Sequence, residues 1–189
     1  YEEAIYFDSR CTPAYLKYAD IYKSANADLA IEKLNQLKTL EPSNTAIDKK
    51  LAEIYYLKND FSKAADAYSR FAMGPTANEE DLVKYAFALF LNHDFAKSLE
   101  VANMGLKKNP RHAAFNRLAM YNNTDLKRFE EALKAADVFF NECDKADYSY
   151  LDYMYYGHLL EELKKYDEAV GQYEKAVELD PTKTDLYKN

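Results

Sequence analysis

The chain has 189 residues, of which 48% are apolar, and only four glycines and five prolines. That length is ample for a cooperative core, and the scarcity of turn formers excludes barrels, sandwiches and flexible linkers. The formal net charge of −7 argues against a nucleic-acid partner held by bulk electrostatics, and no apolar run reaches the roughly 20 residues a membrane-spanning helix needs.

Taken in chain order, the sequence reads as tandem helical hairpins. Residues 1–10 read as the end of one, because Tyr1-Glu2-Glu3-Ala4-Ile5-Tyr6-Phe7-Asp8 aligns with Tyr173-Glu174-Lys175-Ala176-Val177-Glu178-Leu179-Asp180. First helices (helix A) are predicted near 12–24, 45–57, 79–92, 112–123 and 150–163, each followed by a second (helix B). The corresponding repeats are 12–44, 45–78, 79–111, 112–149 and 150–183, and Asp185-Leu186-Tyr187 opens a further helix over 184–189. The chain is thus expected to be one solenoid domain cut from a longer array, since neither end reads as a polar capping repeat. Tyr1, Phe7, Leu186 and Tyr187 are then expected to expose apolar surface and to promote self-association through the ends.

A short motif marks the turn between the helices of a pair: Asn59-Asp60-Phe61, His93-Asp94-Phe95, Lys127-Arg128-Phe129 and Lys164-Lys165-Tyr166, with aromatics 34, 34 and 37 residues apart. Three residues after each aromatic comes a small residue: Ala64, Ser98, Ala132 and Ala169. In the last repeat Tyr153, Tyr156, Gly157, Leu160, Ala169, Tyr173, Ala176 and Pro181 fall on positions 4, 7, 8, 11, 20, 24, 27 and 32 of a 34-residue period. This pattern resembles the tetratricopeptide-repeat family closely. The other repeats match with defects: no terminal proline in the second, a turn one residue short near Ser24-Ala25-Asn26, a turn one longer in the fourth with helix B running to about Cys143, and Asn122 at a large apolar position. The resemblance implies an all-α, right-handed superhelical solenoid of antiparallel helix pairs, with small residues where helices approach closely. It also implies binding rather than chemistry.

The residues themselves offer no chemistry. His93, His112 and His158 lie in different repeats, without metal-ligand spacing to one another or to Cys11 and Cys143. Glu161 follows His158 by three residues, but a solvated helix surface is the better reading without a second such pair. The cysteines lie in non-adjacent repeats, so no internal disulfide is expected. There is no phosphate-cradling glycine loop and no nucleophile elbow. No catalytic residue, metal or cofactor is therefore assigned, and the compartment stays open.

In the family that this chain resembles, helix A positions 2, 5, 6, 9 and 12 face a concave groove. Position 6 reads Lys17, Lys50, Lys84, Arg117, Tyr155, and position 9 reads Asp20, Glu53, Phe87, Met120, His158. Lys17 and Lys50 have a carboxylate three residues on; Lys84 and Arg117 have Phe87 and Met120 instead. This contrast predicts a peptide site made of Lys84, Phe87, Phe90, Asn116, Arg117 and Met120, with Lys17, Lys50, Tyr155 and His158 as a secondary groove. Its ligand would be an acidic protein or peptide segment with an apolar anchor. On the competing reading Lys84 and Arg117 are solvated and Phe87 and Phe90 pack between helices. A scaffolding role through the convex face or repeat ends is the alternative function. The carboxylate clamp by which some family members hold acidic chaperone tails is not reproduced: Glu53 and Lys84 stand where it wants asparagine, and Ala113 or Ala114 where it wants lysine.

Overall fold

The computed structural model describes residues 1–143 and 147–182. Among the described residues there are eleven helices and no strand: α1 (Glu2–Phe7), α2 (Thr12–Tyr22), α3 (Ala27–Leu40), α4 (Thr45–Leu57), α5 (Phe61–Ala72), α6 (Glu79–Leu91), α7 (Phe95–Lys108), α8 (Ala113–Asp125), α9 (Phe129–Asn141), α10 (Tyr150–Glu162) and α11 (Tyr166–Leu179). The even-numbered helices from α2 to α10 are the A helices. The expected helix over 184–189, with Leu186 and Tyr187, lies outside the described residues.

The chain divides into two compact units, Tyr1–His93 and Asp94–Asn189, at the turn between α6 and α7. In the first, each of α1 to α5 packs against the helix that follows it, and α2 also meets α4. In the second, α8 packs between α7 and α9, and α10 packs on α11 and against both α8 and α9. Within each unit, helices that follow one another in sequence are thus neighbours in space, as an antiparallel hairpin array requires.

Local chemistry sets the helix ends. The side chains of Asn26, Asn44, Asp60, Asn78 and Asp94 each accept a hydrogen bond from a backbone N–H of the turn they open, which satisfies donors that have no intrahelical partner. The first residue of the turn motif has its own role. Asn59, His93, Lys127 and Lys164 sit at φ 59°, 61°, 58° and 61°, in the left-handed conformation that ends a helix and reverses the chain. The conformation recurs although only asparagine among these tolerates it readily.

The small signature positions lie at close helix approaches. A Cβ on Gly105 would fall 2.1 Å from the Phe115 ring, and one on Gly157 2.5 Å from Tyr173. Ala52, Ala86 and Ala169 are buried. Ala169→Leu is expected to overpack the α10–α11 hairpin and to cost roughly 1–3 kcal/mol, read as a lowered thermal midpoint.

Two departures from the pattern resolve each other. Asn122 of α8 is fully buried and donates from Nδ2 to Ser98 Oγ of α7 at 2.8 Å. Ser98, at a position usually held by alanine, supplies the acceptor that the amide needs; Asn122 Oδ1 remains buried without a partner. Helix B of the fourth repeat stops at Asn141 rather than near Cys143, because the N–H groups of Glu142 and Cys143 both turn back onto Val138 O, at 2.9 and 3.0 Å. Ser98→Ala alone should strand the amide and cost about 1–3 kcal/mol. Ser98→Ala with Asn122→Leu should recover that loss, and urea unfolding of the single and double variants checks the coupling.

Candidate functional site

In the first unit, the A-helix face is built from α2, α4 and α6. Its cations are mostly engaged. Lys50 of α4 reaches Asp20 of α2 at 2.7 Å and Glu53 at 3.4 Å. Burial alone would lower the Lys50 pKa, but the Asp20 hydrogen bond and the Glu53 charge outweigh it and hold the ammonium above its ordinary value. Lys49 reaches the buried Asp81 of α6 at 2.7 Å. Lys84 pairs with Glu80 one turn earlier on α6, at 2.8 Å, and that hydrogen bond raises its pKa. Lys17 is exposed.

Between α4 and α6 this face opens into a cavity of about 460 Å³. Lys23, Glu53, Tyr56, Leu57, Tyr68, Val83, Lys84 and Phe87 line it. Leu57 is exposed and Tyr56, Val83 and Phe87 are half-buried, so the lining is an apolar surface left partly in water. Tyr68 of α5 forms its floor at 1% exposure. Its pKa is pushed up, first by burial and then by the nearby Glu53 charge, and its hydroxyl forms no hydrogen bond among the described residues. The cavity is rimmed by two ammonium groups, Lys23, 3.7 Å from Asp20, and Lys84, paired with Glu80, and by one carboxylate, Glu53, which Lys50 engages.

The second unit uses its groove-facing positions differently. Arg117 of α8 bonds the buried Asp152 of α10 through Nε at 2.7 Å and a terminal nitrogen at 3.0 Å, donates to Asp147 O at 2.5 Å, and lies 5.1 Å over the Phe139 ring. Tyr121 donates to the same carboxylate at 2.6 Å, and burial followed by the Asp152 charge drives its pKa far upward. Its ring stacks on Tyr155 at 4.0 Å, and the Tyr155 hydroxyl donates to Asp125 at 2.9 Å. These contacts fasten α10 to α8.

The premise that Lys84 and Arg117 lack carboxylate partners is therefore corrected. Their partners lie at i−4 and on the following A helix, neither of which the i+3 comparison reaches. Met120 is fully buried rather than groove-lining, Phe90 is buried as well, and Asn116 is buried with Nδ2 donating to Pro110 O at 2.9 Å and His112 O at 3.2 Å. His158 is exposed on α10. Of the six residues expected to form the site, the structure places Lys84 and Phe87 together in one cavity. The companions that were missed had a signal: Val83 and Tyr56 occupy helix A positions 5 and 12. Among the described residues, no group of three or more His, Cys, Asp or Glu side chains is arranged to hold a metal ion, and no helix is long and apolar enough to cross a membrane.

Comparison with known proteins agrees with this architecture. Residues 150–183 match the family model of the tetratricopeptide repeat. No curated protein sequence matches the chain. Among solved structures, MamA is similar at 18% identity over 95% of this chain and 97% of its own, with a TM-score of 0.73. YrrB, described as a TPR protein with an unusual peptide-binding site, is similar at 15% identity over 95% of this chain and 92% of its own, with a TM-score of 0.75. PilF of Pseudomonas aeruginosa is similar at 13% identity over 95% and 81%, with a TM-score of 0.69. At these identities the likeness establishes the fold alone: a solenoid of tetratricopeptide-type hairpins.

Asp152→Ala should be severe, because it leaves Arg117 and Tyr121 without their acceptor inside the unit. A loss of about 3–5 kcal/mol is expected, measured by denaturant unfolding.

Proposed function

We propose, for a chain that is a tetratricopeptide-repeat protein, a non-catalytic role in which the A-helix face of its first unit binds an extended protein or peptide segment. The α4–α6 cavity is the anchor. One apolar side chain of the ligand enters between Tyr56, Leu57, Val83 and Phe87, and an acidic group beside it meets Lys84 and Lys23. The observation that carries this reading is the half-open apolar lining over an unpartnered Tyr68 hydroxyl, at a place rimmed by cations in an acidic chain. A cavity of this volume falls within the range of about 300–1,000 Å³ typical of ligand pockets, and the fold shared with YrrB is compatible with peptide binding.

Lys17 and His158 remain available as exposed positions on the A helices of their own units. Lys50 and Tyr155, by contrast, are tied to Asp20 and Asp125 and contribute by holding helices in register. Arg117 is assigned the same positioning role, with Met120 as supporting core. A second reading, assembly through the repeat ends, draws on Tyr6 and Phe7 of α1, each 85% exposed.

The two readings separate in one experiment. Lys84→Glu with Phe87→Ala should weaken binding of an acidic–aliphatic ligand peptide more than about tenfold, or 1.4 kcal/mol, and should shrink its salt dependence. Tyr6→Ser with Phe7→Ser should leave that affinity unchanged and abolish any concentration-dependent association seen by light scattering. Equal affinity of wild type and the α6 variant would remove this face from the mechanism.

A further inference from the structure

Outside the A-helix face, the second unit contains a cleft of about 370 Å³ whose floor is α8 and whose walls are α7 and α9. Its apolar lining comes from Leu99 and Leu106 on α7, Ala119 on α8, and Ala135 and Val138 on α9. Its floor is polar. Asn116, Ala119 and Asn123 follow one another at i, i+3 and i+7, so they share one face of α8. The register expected of position 5 would have turned Asn116 toward the concave groove; here it lies on the opposite task, under the B helices.

Asn123 is only 7% exposed, lines this cleft, and its side-chain amide makes no hydrogen bond among the described residues. The amide atoms of Asn123 are not among those sealed from solvent without a partner, so they open to the cleft, where a ligand can take the place of water. Asn116 has committed Nδ2 to the backbone of the preceding loop and leaves Oδ1 as an acceptor. Arg128, Lys134 and Glu131 stand at the rim, all exposed, with the cations in excess.

We infer that this cleft is a second binding site, which takes an extended peptide segment and recognises it through its main chain. An asparagine amide presents a donor and an acceptor side by side, the complement of one peptide unit's C=O and N–H. Asn116 and Asn123 are separated by roughly 10.5 Å along the helix, at 1.5 Å per residue. Three residues of extended chain cover about the same distance. A segment lying along α8 therefore meets Asn123 with one peptide unit and offers an N–H to Asn116 Oδ1 with another. Its intervening aliphatic side chain packs between Leu106 and Val138, and an acidic side chain meets Arg128 or Lys134. This site is independent of the α4–α6 cavity: it uses other residues, in the other unit, and other chemistry.

The test starts from random dodecapeptides displayed on phage and selected against the whole chain. The selected sequences, made as free peptides, are titrated against wild type, Asn123→Leu, Leu106→Trp, and Lys84→Glu with Phe87→Ala. One class of peptides should lose at least about tenfold in affinity with Asn123→Leu and with Leu106→Trp, and bind the α6 variant as wild type. Blocking one main-chain amide of such a peptide by N-methylation should cost it a similar factor. Asn123→Leu should also unfold no earlier than wild type, because the amide it removes has no internal partner. The proposal is overturned if selection yields no peptide sensitive to both α7 and α8 variants, or if the sensitive peptides tolerate N-methylation at every position. Failure of the α4–α6 reading gives a different signature, namely that no selected peptide is weakened by the α6 variant.

Discussion

A carboxylate buried in the first turns of an A helix is the constraint on which the packing of each unit depends. Asp48, Asp81 and Asp152 are almost completely buried, and a charge in such surroundings is tolerated only when it is paired and fully hydrogen-bonded. Each is served from a neighbouring helix. Asp48 is held by Lys38 of α3 at 2.5 Å and Arg70 of α5 at 2.9 Å, Asp81 by Lys49 of α4, and Asp152 by Arg117 and Tyr121 of α8. The aspartates also sit where the helix dipole favours negative charge. The arrangement fixes register as well as proximity: Asp152 receives two hydrogen bonds from Arg117, one from Tyr121 and two from Ser149, a set that a shift of α10 by one residue would break.

This constraint changes what a stripe of basic residues means. Four cations at successive position 6 sites suggest a ligand surface when the sequence is read one helix at a time. Once the helices are stacked, Lys50 and Arg117 serve as ties between A helices and Lys84 keeps a local partner. What distinguishes the α4–α6 face is therefore not charge alone. Apolar side chains stay half in water there, next to a tyrosine hydroxyl that has no hydrogen-bond partner within the unit.

The sequence made the period, the fold and the starts of the A helices legible, because these rest on spacing and on local capping. The turn motif was visible too, but its conformational content was not: lysine and histidine do not announce a left-handed residue as glycine would, and only the recurrence of the position carried the signal. Asn122 and Ser98 each looked like a defect because single-position patterns do not pair residues on different helices. Met120 and Asn116 were misplaced for a related reason. A position number names a direction on a helix, and neighbouring repeats decide whether anything lies in that direction. In the fourth repeat Asn116, Asn122 and Asn123 of α8 lie toward the B helices, and Met120 lies in the core.

Among those polar residues the physical accounting is uneven. Asn122 finds Ser98, and Asn116 finds two backbone carbonyls, so both stabilise the hairpin that contains them. Asn123 contributes nothing of the kind, and neither does the Tyr68 hydroxyl in the first unit. In a repeat array, stability is close to a sum over hairpins and their immediate interfaces, so a polar group without an internal partner adds nothing to its own hairpin. Apolar residues of similar size would fit both positions. That each lines a cleft without an internal hydrogen-bond partner is the feature that folding does not require, and it is the one that a ligand's own polar groups would complete.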